Sequence, residues 1–263
     1  MFPIKDNITT RRFPVVTTVL IGICVFVWFV VQASFWNISP TGDERVMEYG
    51  AIPYEITHPG EECALDTTGT QLLCEGQEGV AGEAPAQAPW WVTIFTSMFL
   101  HGSFLHLAGN MLFLWIFGNN IEDSMGRGRF VAFYLLGGVA ALAGQVLVDP
   151  DAAIPTVGAS GAIAAVLGGY ALLYPHARVI TVIFIIIFFT VVELPALVVL
   201  GLWFLIQLAY GVNDIAQPVG GQTGGGVAYF AHLGGFLFGL AAIKLFANNV
   251  HKDYDADRRI PVY

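Results

Sequence analysis

The chain has 263 residues, of which 56% are hydrophobic and only 12% charged, with a net charge of -9 and a mean hydropathy of +0.66. Soluble domains average about a quarter charged residues, so polar side chains are too few to cover a water-facing surface, and the same composition excludes intrinsic disorder. An isoelectric point near 5.0 also argues against a soluble nucleic-acid binder, which needs a basic face.

Apolar blocks of roughly membrane-spanning length follow one another along the chain. Residues 1–12 carry Lys5, Arg11 and Arg12 and precede the first block, 13–35. This block is long for a signal-peptide core and no Ala-x-Ala site follows it, so it is expected to be a retained helix. Arg11-Arg12 is then its flank rather than a twin-arginine signal. Cys24 within it reads as a small buried hydrophobe.

An outer loop, 37–89, follows. It holds Asp43, Glu44, Glu48, Glu55, Glu61, Glu62, Asp66, Glu75, Glu78 and Glu83, half of the 20 acidic residues. A solvated surface is the plain reading of this charge. Residues 75–89, rich in Gly, Ala, Pro and Glu, read as flexible. Cys63 and Cys74 could close a short hairpin as a disulfide in an oxidising exterior. Two thiols with His58 nearby do not make a metal site.

The second block is 103–121, the third 130–148 and the fourth, which is short, 158–174. The fifth, 179–209, is too long for one helix and too short for two. Glu193 and Pro195 interrupt it, so a helix centred on 195–210 is expected, with the stretch before it partly interfacial; a hairpin of two short helices is the alternative. The sixth is 227–247. These blocks predict an all-α fold, a polytopic membrane bundle of six transmembrane helices spanning 13–248, with a tail at 249–263.

Charge supports that count. Arg127 and Arg129 lie between spans two and three, Arg178 between four and five, and Lys244, Lys252, Arg258 and Arg259 end or follow span six. Together with the N-terminal cluster these sites alternate with the other connections, so the positive-inside bias predicts both termini in the cytoplasm.

Polar groups in lipid are costly, so each one inside a span is a functional candidate. His101, His106 and Asn110 lie on or beside span two, Ser160 on span four and His232 on span six. At ~1.5 Å per residue His106, Asn110, Ser160 and His232 sit roughly 3–11 Å from the outer ends of their helices, the common depth a shared site requires, with His101 at the boundary. Ser160 stands in Gly158-Ala159-Ser160-Gly161, whose small neighbours let a substrate backbone approach the hydroxyl. Taken alone, the same residues are ordinary helix-packing glue. Gly161, Ala165 and Gly169 on span four, and Gly235 and Gly239 on span six, recur every fourth position. If these faces meet, Ser160 and His232 come within hydrogen-bond reach. A serine hydroxyl needs a base to become nucleophilic, and no carboxylate sits at this depth, so the unit reads as a Ser–His dyad rather than a triad.

His106 and Asn110, at i and i+4, share a helix face. With the Ser160 amide they could stabilise an oxyanion; bracing the bundle is the alternative, and is the plainer role for His101. Three histidines could instead bind zinc, but there is no H-E-x-x-H or equivalent carboxylate partner, and no metal is expected.

These motifs resemble the rhomboid family of intramembrane serine proteases, in its six-helix bacterial form. The resemblance rests on His101-x4-His106-x3-Asn110, Gly158-Ala159-Ser160-Gly161 and Ala231-His232-Leu233-Gly234-Gly235-x3-Gly239. Glu122-x3-Gly126, Tyr49-Gly50-x2-Pro53 and Trp203-Phe204-x2-Gln207 add to it. The resemblance implies that Ser160 is the nucleophile and His232 the general base and acid. It gives His106, Asn110 and the Ser160 amide the oxyanion hole, makes His101 a supporting position, and makes Trp203 and Phe204 gate residues on span five. It implies transmembrane protein substrates, cut near the outer ends of their helices, no cofactor, and a place in the cell membrane with the site opening to the external face. The chain departs from the family where Trp90-Trp91 lacks a following arginine, and where Ala164 stands in place of an aromatic residue that would stack on the catalytic histidine. Tyr229 is the candidate for orienting His232 instead. Two other readings remain: a non-catalytic rhomboid-like binder of membrane helices, and a channel or transporter using the histidines as a proton relay.

Overall fold

A computed structural model of the chain describes residues 2–32, 41–65, 72–77, 80, 84, 87–185, 188–216 and 228–251. Most of the expected tail, residues 33–35 of the first apolar block, and Asp66, Glu78 and Glu83 of the acidic loop lie outside the described residues.

Strand β1 (Phe2–Asp6) leads to helix α1 (Val15–Phe26), which ends in a π-type turn, Val27–Val31. The loop that follows holds helices α2 (Thr41–Tyr49) and α3 (Pro53–Thr57) and a hairpin of β2 (Cys63–Leu65) and β3 (Leu72–Cys74). Helix α4 (Trp90–Thr96) and a 3-10 turn, Ser97–Phe99, precede α5 (Phe104–Phe113). A π-type turn, Leu114–Gly118, joins α5 to α6 (Asn119–Met125). Then come α7 (Arg127–Val148), α8 (Ser160–Leu173), strands β4 (Arg178–Ile185) and β5 (Phe188–Pro195), α9 (Ala196–Ala216) and α10 (Tyr229–Phe246).

The molecule is a mostly helical membrane bundle. Arg127–Val148, Ala196–Asn213 and Tyr229–Phe246 are each long and apolar enough to cross a bilayer, and Trp90–Phe99 with Phe104–Met125 forms a fourth candidate bent by 79°. Val15–Val31 and Ser160–Leu173 are shorter apolar helices. Large apolar side chains point outward, Leu105, Leu147 and Leu245 each more than four-fifths exposed, as suits a surface solvated by lipid rather than water.

Helix α8 is the central stave. All but two of its residues are buried, which its Gly and Ala content permits, because small side chains let neighbouring backbones approach. The two small-residue faces meet in register: a Cβ on Gly235 would collide with the Gly161 carbonyl, and one on Gly239 with the Ala165 carbonyl, while Gly169 faces Ile243. Gly161 also lies against Ala141 of α7.

Two expectations are corrected. The fold is not purely α. The stretch expected to be interfacial or helical is an antiparallel hairpin, β4–β5, with Ile180 opposite Glu193 and Thr181 opposite Val192. Its β-branched and aromatic run suits a pleated surface better than a helix. β1 adds to β4 as a third strand, Phe2 opposite Val182 and Asp6 opposite Val179. The second apolar block is also preceded by more helix than expected: Trp90 and Trp91 open α4, and the chain breaks over residues 100–103 before Ser103 caps α5, its hydroxyl accepting from the His106 amide at 3.1 Å.

Both ends of the bundle are pinned by polar groups. At the end bearing β1, buried Asp6 accepts from Asn120 Nδ2 and from the Tyr170 hydroxyl, each at 2.6 Å. Glu122 accepts the Val16 and Thr17 amides at 2.9 and 2.8 Å and the Thr17 hydroxyl at 2.8 Å, satisfying the free N–H groups at the start of α1. Gly126, at φ 81°, turns the chain from α6 into α7, a backbone angle that favours glycine. At the other end, Ala51 and Thr156 exchange backbone hydrogen bonds. Beyond them Cys63 and Cys74 are joined by a disulfide, with Ile52 and Tyr54 packed around them as a small separate core. Burial raises the Glu55 carboxyl there from 4.5 to about 7, although it accepts the Cys63 amide at 3.0 Å.

Candidate active site

Ser160 is the first residue of α8, so its amide is one of those that helix geometry leaves without an intrahelical acceptor. The residue two before it, Gly158, has φ 122° and donates its N–H to the Ser97 carbonyl at 2.8 Å. That angle and bond turn the chain into α8 with the serine at the corner. His232 lies one turn into α10 and is buried.

The close approach of α8 and α10 brings these two together. Ser160 Oγ lies 2.7 Å from His232 Nε2. The other ring nitrogen, Nδ1, lies 2.7 Å from Gln207 Oε1 on α9. The Trp203 ring, one turn earlier on α9, lies 5.7 Å from the imidazole. Phe204 packs on Phe236 of α10 with ring centroids 4.9 Å apart. Tyr229, three residues before His232 on α10, stacks on Tyr210, and buried Ala164 offers the histidine no ring.

His106 and Asn110 close the opposite wall. A Cβ on Gly158 would lie 2.7–2.8 Å from the His106 ring and 3.6 Å from Asn110 Nδ2, so both side chains converge on the backbone just ahead of the serine. The Asn110 amide nitrogen is buried and has no hydrogen-bond partner among the described residues. A buried donor left unpaired is costly, unless an acceptor arrives with the substrate. His101 does not reach this wall with a hydrogen bond. Its ring packs edge-on to His106 at 5.3 Å, and neither of its nitrogens is paired among the described residues. Its backbone is clamped by Gln32, which donates to the His101 carbonyl at 2.9 Å and accepts its amide at 3.0 Å.

The remaining candidates stand apart. Cys63 and Cys74 belong to the small separate core, and Cys24 is a buried free thiol in α1. Among the described residues no group of three or more His, Cys, Asp or Glu side chains converges as metal donors would. Gln207 stands in the Trp203-Phe204-x2-Gln207 motif and is the one amide in the apolar stretch 196–212, whereas Gln32, at the end of the first apolar helix, belongs to no motif.

A hydroxyl in contact with one imidazole nitrogen, an acceptor on the other, and an unpaired donor beside them can together perform acyl transfer. Residues 88–249 match the family model for the Rhomboid domain. Among individual relatives, the chain is 31% identical over 155 residues to rhomboid protein 1, mitochondrial, of Saccharomyces cerevisiae, covering 57% of this chain and 40% of that one. It is 42% identical over 89 residues to rhomboid protease GluP of Bacillus subtilis, covering 34% and 16%. It is 33% identical over 159 residues to presenilin-associated rhomboid-like protein A, mitochondrial, of Danio rerio, covering 59% and 38%. The matched stretch thus spans less than half the length of each of these relatives.

Proposed function

The chain belongs to the rhomboid family, and on that premise we propose that it is a serine endopeptidase that cuts transmembrane proteins within the bilayer. The observation that carries this reading is the 2.7 Å contact between Ser160 Oγ and His232 Nε2. Ser160 attacks the scissile carbonyl while His232 takes its proton, and the carbonyl oxygen becomes an oxyanion. His106, Asn110 and the Ser160 amide donate to that oxyanion; a single such donor contributes about 3–4 kcal/mol in other hydrolases. His232 then protonates the leaving amine as the carbon–nitrogen bond breaks, leaving an acyl-enzyme. Water attacks the ester, His232 again accepting and returning the proton, and the new carboxyl terminus departs.

Charge asymmetry places the termini in the cytoplasm, with six spans between them. The site then opens near the external face of the cell membrane and cuts helices near their outer ends. The membrane domain is 13–248, with 1–12 and 249–263 on the cytoplasmic side and 37–89 outside. Trp203 and Phe204, on α9 beside the dyad, are the gate residues of the fifth span. His101, clamped by Gln32, supports His106.

The test is cleavage of a model transmembrane substrate by the protein reconstituted in liposomes. Ser160→Ala and His232→Ala should each abolish cleavage, and EDTA should leave it unchanged. Full activity in either variant overturns the assignment. Retained binding of substrate helices with no product from the unmodified protein would instead mark a non-catalytic binder.

A further inference from the structure

A histidine can act as base through Nε2 only if its proton sits on Nδ1, and that proton needs an acceptor. Serine hydrolases with a third member supply a carboxylate there, and its loss leaves the wrong tautomer. Among the described residues no carboxylate pairs with His232; the side chains seen against its ring are Ser160, Gln207 and Trp203. Gln207 Oε1, at 2.7 Å from Nδ1, is an acceptor of the right kind.

Its amide could be turned to present Nε2–H to the histidine instead. Nδ1 would then be the acceptor and Nε2 would carry the proton, which aims a donor at Ser160 Oγ and leaves the hydroxyl without a base. Only the orientation with the carbonyl on Nδ1 serves the chemistry. Gln207 also sits on the same face of α9 as Trp203, four residues earlier, so one helix face both covers the imidazole and fixes its edge.

Resting on the protease reading, we infer that Gln207 is the positioning residue of the dyad: its carbonyl holds His232 with the proton on Nδ1 and so makes Nε2 the base for Ser160. Because Gln207 is on α9 while the dyad is on α8 and α10, the base is aligned only while α9 is docked against α10.

The test uses the full chain in detergent, with an excess of a labelled fluorophosphonate as the serine probe, together with cleavage of the model substrate. Gln207→Leu keeps the shape and removes the acceptor; Gln207→Met is the second such variant should the leucine protein not fold. Both should lower the labelling rate and kcat about 10- to 100-fold with KM within about twofold, since only the chemical step is touched. Gln207→Glu, which retains an oxygen acceptor, should keep both rates within about threefold of the parent. In protein labelled with 15N-histidine, with His232→Ala to assign the signals, the His232 ring should be protonated on Nδ1 in the parent. It should become a mixture of tautomers in Gln207→Leu. If Gln207→Leu or Gln207→Met labels and cleaves like the parent, or the tautomer is unchanged, or Gln207→Glu is as impaired as leucine, the inference falls. Failure of the unmodified protein to be labelled or to cleave would instead remove the protease reading itself, so the two failures are distinct.

Discussion

Replacing Gly235 by alanine perturbs the site without touching a reacting atom. Gly235 is one turn beyond His232 on α10, and Gly161 follows Ser160 on α8. A Cβ on Gly235 would fall on the Gly161 carbonyl oxygen, 3.2 Å from its carbon and 3.3 Å from the Ala141 Cβ. All three obstacles belong to packed helices, and no flexible side-chain end can yield. To reach ordinary contact the α8 and α10 backbones must separate by about 1 Å. Added to the 2.7 Å between Ser160 Oγ and His232 Nε2, that shift takes the pair to roughly 3.7 Å, beyond a hydrogen bond. A misplacement of this size costs about 100-fold in rate, and overpacking costs about 1–3 kcal/mol of stability. The assay is the rate of fluorophosphonate labelling beside the thermal midpoint, with Gly22→Ala as control, because a Cβ there meets nothing within 4 Å. Gly235→Ala labelling at the parental rate would refute the claim that close approach of α8 and α10 builds the dyad.

Other outcomes follow from named contacts. Asn110→Ala removes an unpaired donor from the wall facing Gly158. It should lower kcat about 100- to 1000-fold with KM little changed, whereas a bracing role would lower the melting midpoint and spare kcat. At the opposite end of the bundle, burial raises the Asp6 carboxyl from its ordinary 3.8 to about 6, against the opposing hydrogen bond from Tyr170. The folded protein therefore holds a proton that the unfolded chain has lost. Stability from this group is full below pH 3.8 and is lost as pH rises through about 6, by up to about 3 kcal/mol. Asp6→Asn keeps an oxygen acceptor and should flatten the fall in melting midpoint over that window; an unchanged slope contradicts the burial argument. Reducing the Cys63–Cys74 bridge frees a hairpin whose cysteines are 11 residues apart, loosening it by roughly 2–3 kcal/mol. Limited proteolysis within residues 61–77 should accelerate at least about tenfold, with Ser160 labelling unchanged; equal protection after reduction would show that other contacts hold the loop.

How far the sequence could be read depended on whether a feature is local. The packing of α8 on α10 was legible because small residues every fourth position encode close approach directly: Gly161, Ala165, Gly235 and Gly239 sit where that spacing predicts. The membrane character was legible from composition. The hairpin at 178–195 was not, because a run in which nearly every position is apolar has no polar face to betray its period. Length and hydropathy fit helix and strand alike, and one partner of the hairpin, β1, lies more than 170 residues away. The bend before α5 was hidden for a related reason: hydropathy stays high across Phe99 and Leu100 while the backbone breaks. The partners of the site histidines are long-range. Gln207 is 25 residues from His232, and Gln32 is 69 from His101. Spacing along one helix cannot reveal contacts between helices, although an amide placed in an apolar span is a signal in itself.

The central claim is that the hydroxyl of Ser160 is made nucleophilic by His232. Peptide mapping by mass spectrometry after brief exposure of the folded protein to a fluorophosphonate tests it most directly. The account predicts one phosphonylated serine, Ser160, in the parent protein and none in His232→Ala over the same interval. An adduct on another residue, or equal modification of Ser160 without the histidine, would contradict it.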